Sequence, residues 1–456
     1  MTAFTWTAKH VTRALGLPEA AWDHEYAGIS TDTRRLAERD LFIALRGEKF
    51  DAHDFLADAR LANVGGVVVR TGTPRWPGFD WFEVPDTLVA LGQLARYRRD
   101  LVQGPVVAVT GTNGKTSTKE LIAAALSGTH TVHKTEVNLN NLVGVPLTIL
   151  AAPVDASALV VECGASLVGE IGRMRAIVRP DIAVVTNVGA GHLEGFGSPE
   201  AVLAEKTSLL RDVPVAVTGT RPSALPETAR TLARRVVTAD IEGPADWTAE
   251  SVRLLEDGRP AFRARGVDVE LPMHGRHMVC NALIALAVAD AVGIPPAAAA
   301  AAMRGATIPQ GRSEIRAIGA TTLINDAYNA NPQSLRAAID LMTAIRGQRR
   351  AVVVAGTMRE LGAASEALHR EAAEAILAAG PDVVAAVGEF AAAFAALGDR
   401  ARHTTLIAGQ SPADVAPRLR EELRDGDVVL LKASRGVKLE TIIPLLWPDQ
   451  SPAEAH

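Results

Sequence analysis

The sequence predicts an α/β protein of three domains built around parallel sheets. Three observations lead there. The chain has 456 residues, room for roughly three domains of about 150 residues each. Short apolar runs such as VVAV at 106–109 and ALVVE at 158–162 alternate with alanine-rich helical stretches, the order of a parallel sheet rather than of a helical bundle. Beyond residue 312, RAVVVAGTMRELG, DVVAAVGEF and DGDVVLLKASRG repeat an apolar strand followed by a turn, which describes a further, smaller α/β domain.

The first hundred residues read as a small mixed domain. TDTRRLAERDLFIALRG joins a polar turn to a short apolar strand, and ANVGGVVVR supplies another strand after a glycine turn. In PDTLVALGQLARYRRDL, Leu88, Leu91, Leu94 and Ala95 fall near one helical face, while Arg96, Arg98 and Arg99 form a basic end suited to a helix C-terminus. A boundary near residue 102 closes a domain over 1–102. VVAV then enters TGTNGKTSTKE and the helical run LIAAAL, the strand, loop and helix of a nucleotide-binding unit. Strands at ALVVE and DIAVVTNV, the helix-like HMVCNALIALAVADAVG and the alanine run 297–302 fill a central domain over 103–312. TTLINDAYNANPQSLRAAID, with a strand at 321–324, opens the last domain, 313–456.

Composition narrows the function classes. A chain with 48% hydrophobic and 22% charged residues is a folded protein rather than a disordered one. With 47 Lys plus Arg against 52 Asp plus Glu, the net charge of -5 gives no general attraction to nucleic acid or an anionic membrane. The basic groups also lack the interleaved aromatics of a single-strand binder, so no nucleic-acid partner is expected. MTAFTWTAKH has no basic segment leading into a long apolar run, and later apolar stretches meet charges, Gly or Pro before about 18 residues. No transmembrane segment and a cytoplasmic location are the expectation. Cys163 and Cys280 stand 117 positions apart without a CxxC pair and are expected as free thiols.

The chemistry-bearing residues cluster after strands. In Gly111-Thr112-Asn113-Gly114-Lys115-Thr116-Ser117, glycines let the backbone approach phosphate and amides at the helix start donate to its oxygens. Lys115 adds mobile positive charge, and the Thr116 hydroxyl suits Mg²⁺. Val109 stands where the general phosphate-loop motif has its first glycine. Glu162 ends a strand and His192 lies in the loop NVGAGHLE, making both metal candidates at the usual ligand end of a parallel sheet. Lys206, alone on a helix, reads as a solvated lysine. Asn138, Asn140 and Asn141 form an amide-rich loop able to meet substrate oxygens. His277 and Asn281 share a helix face by their i,i+4 spacing and serve either a nucleobase or helix capping and packing. Asp326, Tyr328, Asn329 and Asn331, with Pro332 limiting the backbone and Ser334 near the next helix start, form a loop that suits a second substrate or an Asx-rich turn. Lys432, Ser434 and Arg435 offer a carboxylate or phosphate contact.

Taken in order, TGTNGKTSTKE, NLNNLVGVPLTIL, VVECGAS…GEI, TNVGAGHLEGFGSPE…AEK, HGRHMVCNALIAL, GRSE and NDAYNANPQS resemble the ATP-dependent Mur ligase family, over almost the whole chain. The resemblance implies a small N-terminal mixed domain holding a UDP-muramoyl peptide and a central P-loop parallel-sheet domain of ATPase type. A C-terminal Rossmann-like domain closes over the amine substrate. It implies that Lys115 contacts ATP phosphates, that Thr116 and Glu162 bind Mg²⁺, and that His192 belongs to a second magnesium environment. Lys206 matches a lysine that family members commonly carbamylate. His277 and Asn281 match the nucleobase segment, Arg312 the interdomain arginine near phosphate, and Asp326 the ribose side. Thr33 and Arg34 match the N-terminal substrate segment, with Asn329 and Ser334 lining the incoming-dipeptide side. DAYNANP favours the member that adds D-alanyl-D-alanine to UDP-N-acetylmuramoyl-tripeptide, acting as a monomer. Such a ligase makes an acyl phosphate from ATP and the acceptor carboxylate, then an amide. A Mur-type ligase for another peptide and a non-catalytic nucleotide-binding scaffold are the competing classes. Thr33, Met278 and Thr357 depart from the family pattern and bear on local contacts.

Overall fold

The computed structural model describes residues 3–47, 49–307 and 310–448. The chain forms two compact units, one holding the sequence up to Val109 with Thr129–Ala165 and Gly169–Ala183. The other holds Thr110–Gly128, Ser166–Val168 and the chain from Val184 onward.

In the first unit, helix α1 (Ala8–Leu15) starts on a reciprocal cap between Thr7 and His10 and stops at the left-handed Gly16. Strands β1 (Ile29–Ser30), β2 (Leu41–Ile43), β3 (Gly66–Arg70) and β4 (Asp80–Val84) form a parallel sheet in that order. Strand alternation sends Leu41, Ile43 and Val68 to one face, with Trp6, Leu91 and Leu94. Phe42, Val67 and Val69 go to the other face, with Leu56 and Ala59. Helix α2 (Thr87–Asp100) begins where Asp86 accepts from Leu88 N and Val89 N at 2.8 and 3.1 Å. Leu91, Leu94 and Ala95 of the expected face are buried and Leu88 is half-buried; Arg98 and Arg99 lie in the last turn as expected, and Arg98 is itself buried. The Arg98 guanidinium donates to the carbonyls of Ala152 and Pro153 at 2.9 and 2.7 Å, which offsets its desolvation.

A second parallel sheet uses β5 (Val106–Thr110), β6 (Val132–Lys134), β7 (Ala158–Glu162), β8 (Ile182–Val185), β9 (Val215–Thr218) and β10 (Arg235–Thr238). Its order is β10-β9-β8-β5-β7-β6, so β8, β9 and β10 build outward on one side of β5. On the other side β6 takes the edge and β7 fills the place between, the chain reversing direction across the sheet at β5. That reversal places the segment after β5 at the crevice where open α/β sheets bind ligands. Helix α3 (Lys115–Ser127) follows at once, and the almost wholly buried α4 (Met278–Ala291) packs against it.

A three-stranded antiparallel sheet over Glu250–Leu254, Pro260–Ala264 and Val267–Glu270 has no counterpart in the sequence-based expectation. Its first strand is mostly exposed or half-buried, so the apolar alternation that marks a strand is weak there. After residue 312 come β11 (Glu314–Ile318), β12 (Thr321–Asp326), β13 (Ala351–Gly356), β14 (Val383–Val387), β15 (Thr405–Gly409) and β16 (Val428–Lys432). Their order is β11-β12-β16-β13-β14-β15, parallel except for the β11–β12 hairpin. Val353 and Leu430 face helix α5 (Pro332–Arg346), while Val352 and Leu431 face the opposite layer. Cys163 and Cys280 are not joined in a disulfide, and burial pushes the Cys280 thiol up to about 12.

Two glycines test the packing from opposite directions. A Cβ on Gly104 would lie 1.7 Å from the Ser157 carbonyl oxygen, so Gly104→Ala is expected to destabilise the fold by about 1–3 kcal/mol. Gly172, inside the helix Glu170–Val178, has open space around its Cβ position, and Gly172→Ala is expected to stabilise by about 0.5–1 kcal/mol. Urea unfolding of the two variants checks both signs.

Candidate active site

Beyond β5 the chain turns sharply through Gly111 and Gly114 into α3. These glycines have φ of 144° and 78°, where side chains are strained. Space forbids a side chain as well: a Cβ would lie 2.0 Å from Thr186 Oγ1 at Gly111 and 2.6 Å from Asn281 Oδ1 at Gly114. The loop is pinned from the β8 end, since Thr112 N donates to Asn187 O at 2.9 Å and Asn113 N to Asn187 Oδ1 at 3.1 Å. Thr186 Oγ1 donates to Asn113 O at 2.6 Å, and Gly189 N to Thr112 Oγ1 at 2.9 Å. Lys115 Nζ lies over this loop, 3.0 and 3.1 Å from the carbonyls of Gly111 and Thr112. Thr116 and Ser117 are buried in the first helical turn.

The second half of the β8 loop carries His192, left-handed at φ 55°, at the start of the short helix Leu193–Phe196. Its Nδ1 faces the Glu360 carboxylate, a partner that sequence reading missed because 168 residues separate them. The His192 hydrogen bond holds the Glu360 carboxyl below its usual range against the opposing effect of burial. Lys206 lies on the helix Pro199–Thr207 and is only 1% exposed, with Nζ 5.1 Å from the centre of the Phe196 ring. That corrects the reading of Lys206 as a solvated lysine: the packing of this helix hides it, which no single position in the sequence reveals.

In the first unit, Glu162 closes β7 and is 2% exposed. Its Oε1 accepts from Asn140 Nδ2 at 2.8 Å, and its Oε2 is buried without a hydrogen-bond partner among the described residues. Asn141 Oδ1 instead accepts from Val143 N and Gly144 N at 3.1 and 2.8 Å, holding a turn, and Asn138 is exposed. Thr33 and Arg34 lie in a single 3₁₀ turn. Arg34 forks onto Asp32 at 2.9 and 2.8 Å, and its guanidinium holds the Asp32 carboxyl down at about 2. Among the described residues no group of three or more His, Cys, Asp and Glu converges on one point.

The remaining candidates gather in the second unit. Asn281 is 5% exposed and closes over Gly114, so it shapes the phosphate loop itself. His277 precedes α4, and its Nδ1 is buried without a partner among the described residues; burial holds its imidazole below the ordinary value against the pull of Asp326. Arg312 stacks on Tyr328 with Cζ 4.0 Å from the ring centre, and Arg435 lies 5.7 Å from the same ring. Asp326 ends β12, accepts from Ser313 N at 2.9 Å and pairs with the buried Lys432 at 2.7 Å. Lys432 also donates to Asn329 O at 2.6 Å. Ser334 forms a reciprocal cap with Asn331 at the start of α5.

A parallel-sheet core with a phosphate loop at its reversal point, faced by the loop that follows β12 of the later, mixed sheet, defines a nucleotide-dependent α/β enzyme. Residues 109–289 match the Mur ligase middle domain and residues 311–435 the Mur ligase glutamate ligase domain. The chain is 36% identical to the UDP-N-acetylmuramoyl-tripeptide–D-alanyl-D-alanine ligase of Bacillus subtilis, over 91% of this chain and 92% of that one. It superposes on a crystal structure of MurF from Acinetobacter baumannii with a TM-score of 0.88 at 29% identity, covering 98% of this chain and 99% of that one. MurF ligase from Thermotoga maritima in complex with ADP gives a TM-score of 0.81 at 26% identity, covering 92% and 96%. The chain belongs to the Mur ligase family, and the three-domain architecture expected from its motifs is the one it has.

Two outcomes follow from this geometry. Gly114→Ala is expected to weaken ATP binding by at least about tenfold, measured calorimetrically. Gly128→Ala, whose Cβ meets nothing within 4 Å, is expected to leave it unchanged. Because His277 has a depressed value, the unfolded chain binds more protons between the ordinary imidazole value of about 6.5 and that lower one. Stability therefore falls as pH drops through this window, and His277→Gln is expected to flatten the dependence of melting temperature on pH.

Proposed function

We propose that the chain joins D-alanyl-D-alanine to UDP-N-acetylmuramoyl-tripeptide with consumption of ATP, giving the UDP-muramoyl pentapeptide, ADP and phosphate through an acyl phosphate. It is an ATP-dependent, amide-bond-forming enzyme of cell-wall peptidoglycan synthesis. The observation that carries this reading is the meeting of two loops: Asn113 of the phosphate loop is hydrogen-bonded to Asn331, next to the segment Asp326–Ala330. A site for phosphate chemistry and a loop suited to a second substrate thus lie side by side. The named relatives act on these substrates over nearly the same length of chain.

In this reading the loop amides and Lys115 hold phosphate oxygens, and Arg312 adds positive charge stabilised on the Tyr328 face. Asn281 and His277 meet the base, and Asp326 the ribose. Thr33, Arg34, Asn138, Asn140 and Asn141 serve the acceptor, while Tyr328, Asn329 and Ser334 line the dipeptide side. Magnesium supplies charge neutralisation at the phosphates when bound. The residues present fit it. Glu162 keeps one buried carboxylate oxygen without a partner among the described residues, an arrangement that a hard cation satisfies; the Thr116 hydroxyl and His192 are the further donor types that the family resemblance implies. A carbamylated Lys206 would carry a negative charge suited to magnesium in place of its cation. Functional domains run over 1–102, 103–312 and 313–456, and the protein works as a cytoplasmic monomer. Among the described residues no helix is long and apolar enough to cross a membrane.

A product-identified assay tests the reading. UDP-muramoyl tripeptides carrying meso-diaminopimelate or lysine are offered with D-alanyl-D-alanine and Mg²⁺-ATP, and the pentapeptide is expected by mass. Product from single amino acids but not from the dipeptide would instead assign the chain to another Mur-type reaction, and ATP binding without any amide would make it a scaffold. Lys115→Ala is expected to lower kcat by about 10²–10³-fold while leaving the melting temperature within a few degrees.

A further inference from the structure

The cap of α5 carries more than a cap needs. Asn331 Oδ1 accepts from Ser334 N at 2.9 Å, and Asn331 N donates to Ser334 Oγ at 3.0 Å. Ser, Thr or Asp would cap this helix as well as Asn. Only an amide offers a donor beside that acceptor, and here the donor is used: Asn331 Nδ2 reaches Asn113 Oδ1 at 2.8 Å, across 218 positions of sequence. Gln333 stands beside it and accepts from Asn113 Nδ2 at 2.9 Å. The backbone of Asn113 is already committed to Asn187 and Thr186, so its side chain is the part of the phosphate loop that reaches outward. At the other end, the loop before Asn331 is fixed by the buried Lys432, through Asp326 and Asn329 O, and by Ser434 Oγ on Ala330 O at 3.3 Å.

We propose that Asn331, supported by Gln333, is a positioning residue that ties the phosphate loop to the loop receiving the amine substrate. The proposal rests on the ligase reading above. In that reaction the amine nitrogen attacks the acyl carbon, the carbon–oxygen bond to phosphate breaks, phosphate leaves with the bonding electrons and the amine loses a proton. If the amine loop is out of register when the acyl phosphate forms, water attacks the same carbon and returns the carboxylate, so ATP is consumed without an amide. Asn331 holds the two loops in one register and keeps the second step ahead of hydrolysis.

The test uses the full chain with Asn331→Ser, which keeps a capping oxygen but is too short to reach Asn113, and Gln333→Ala. ADP and pentapeptide are measured in the same reactions. Wild type is expected to release about one ADP per amide. Both variants should raise that ratio at least about threefold and the dipeptide KM about tenfold, with the ATP KM changed less than about twofold. Melting temperatures should stay within about 2 °C. Asn113→Ala combined with Asn331→Ser should be no worse than Asn113→Ala alone, because Asn113→Ala already removes the contacts to both Asn331 and Gln333. An unchanged ratio and dipeptide KM, a rise in the ATP KM alone, or additive losses would overturn the proposal. Absence of amide from the wild-type chain would overturn the ligase reading and, with it, the role of Asn331.

Discussion

The site depends on the close approach of backbone to side chain at Gly111 and Gly114. With no Cβ at either position, Thr186 and Asn281 press directly on the phosphate loop, and the positive φ values start α3 with its amides facing outward. Helix α4 supplies Asn281 and the loop after β8 supplies Thr186 and Asn187, so the shape of the loop is imposed from two elements. Any side chain at these glycines pushes against buried structure that cannot give way cheaply.

Around that constraint, charge is managed by pairing rather than by composition. The chain is net acidic, yet the second unit keeps Lys115 over the loop, Arg312 on Tyr328 and Lys432 on Asp326. Each cation lies against carbonyls, an aromatic face or a carboxylate, which limits the cost of burying it. His192 and Glu360 form a further pair that brings the segment after β13 onto the β8 loop, where Glu194 N also donates to Glu360 O at 3.2 Å. Polar contacts of this kind specify geometry as well as stability.

Much of this was legible in the sequence. The phosphate loop announced itself because its glycines, lysine and hydroxyls are contiguous and stand between a strand and a helix. The helix Thr87–Asp100 and the strand ending at Glu162 followed from apolar periodicity, as did the strand expected at 321–324, which runs on to Asp326. Periodicity failed where one face of a strand stays wet, as in Glu250–Leu254. It also failed for Arg98 and Lys206, whose burial comes from neighbouring segments. The candidate list included Asn141 and Ser334, and here they hold a turn and a helix cap. It omitted Glu360, whose partner is far away along the chain, and it held Asn331 only as part of a substrate loop, because the reach to Asn113 spans 218 positions.

The sequence by itself determined the fold class, the phosphate loop and the family, since these are written in local spacing and in motifs that read in order. Tertiary structure decided which polar groups are spent and which remain available. Glu162 keeps one buried oxygen without a partner among the described residues, Arg34 is engaged by Asp32, and Asn331 serves a helix and a distant loop at once. Satisfying a buried polar atom requires a partner within about 3 Å, and which residue arrives at that distance is fixed by packing.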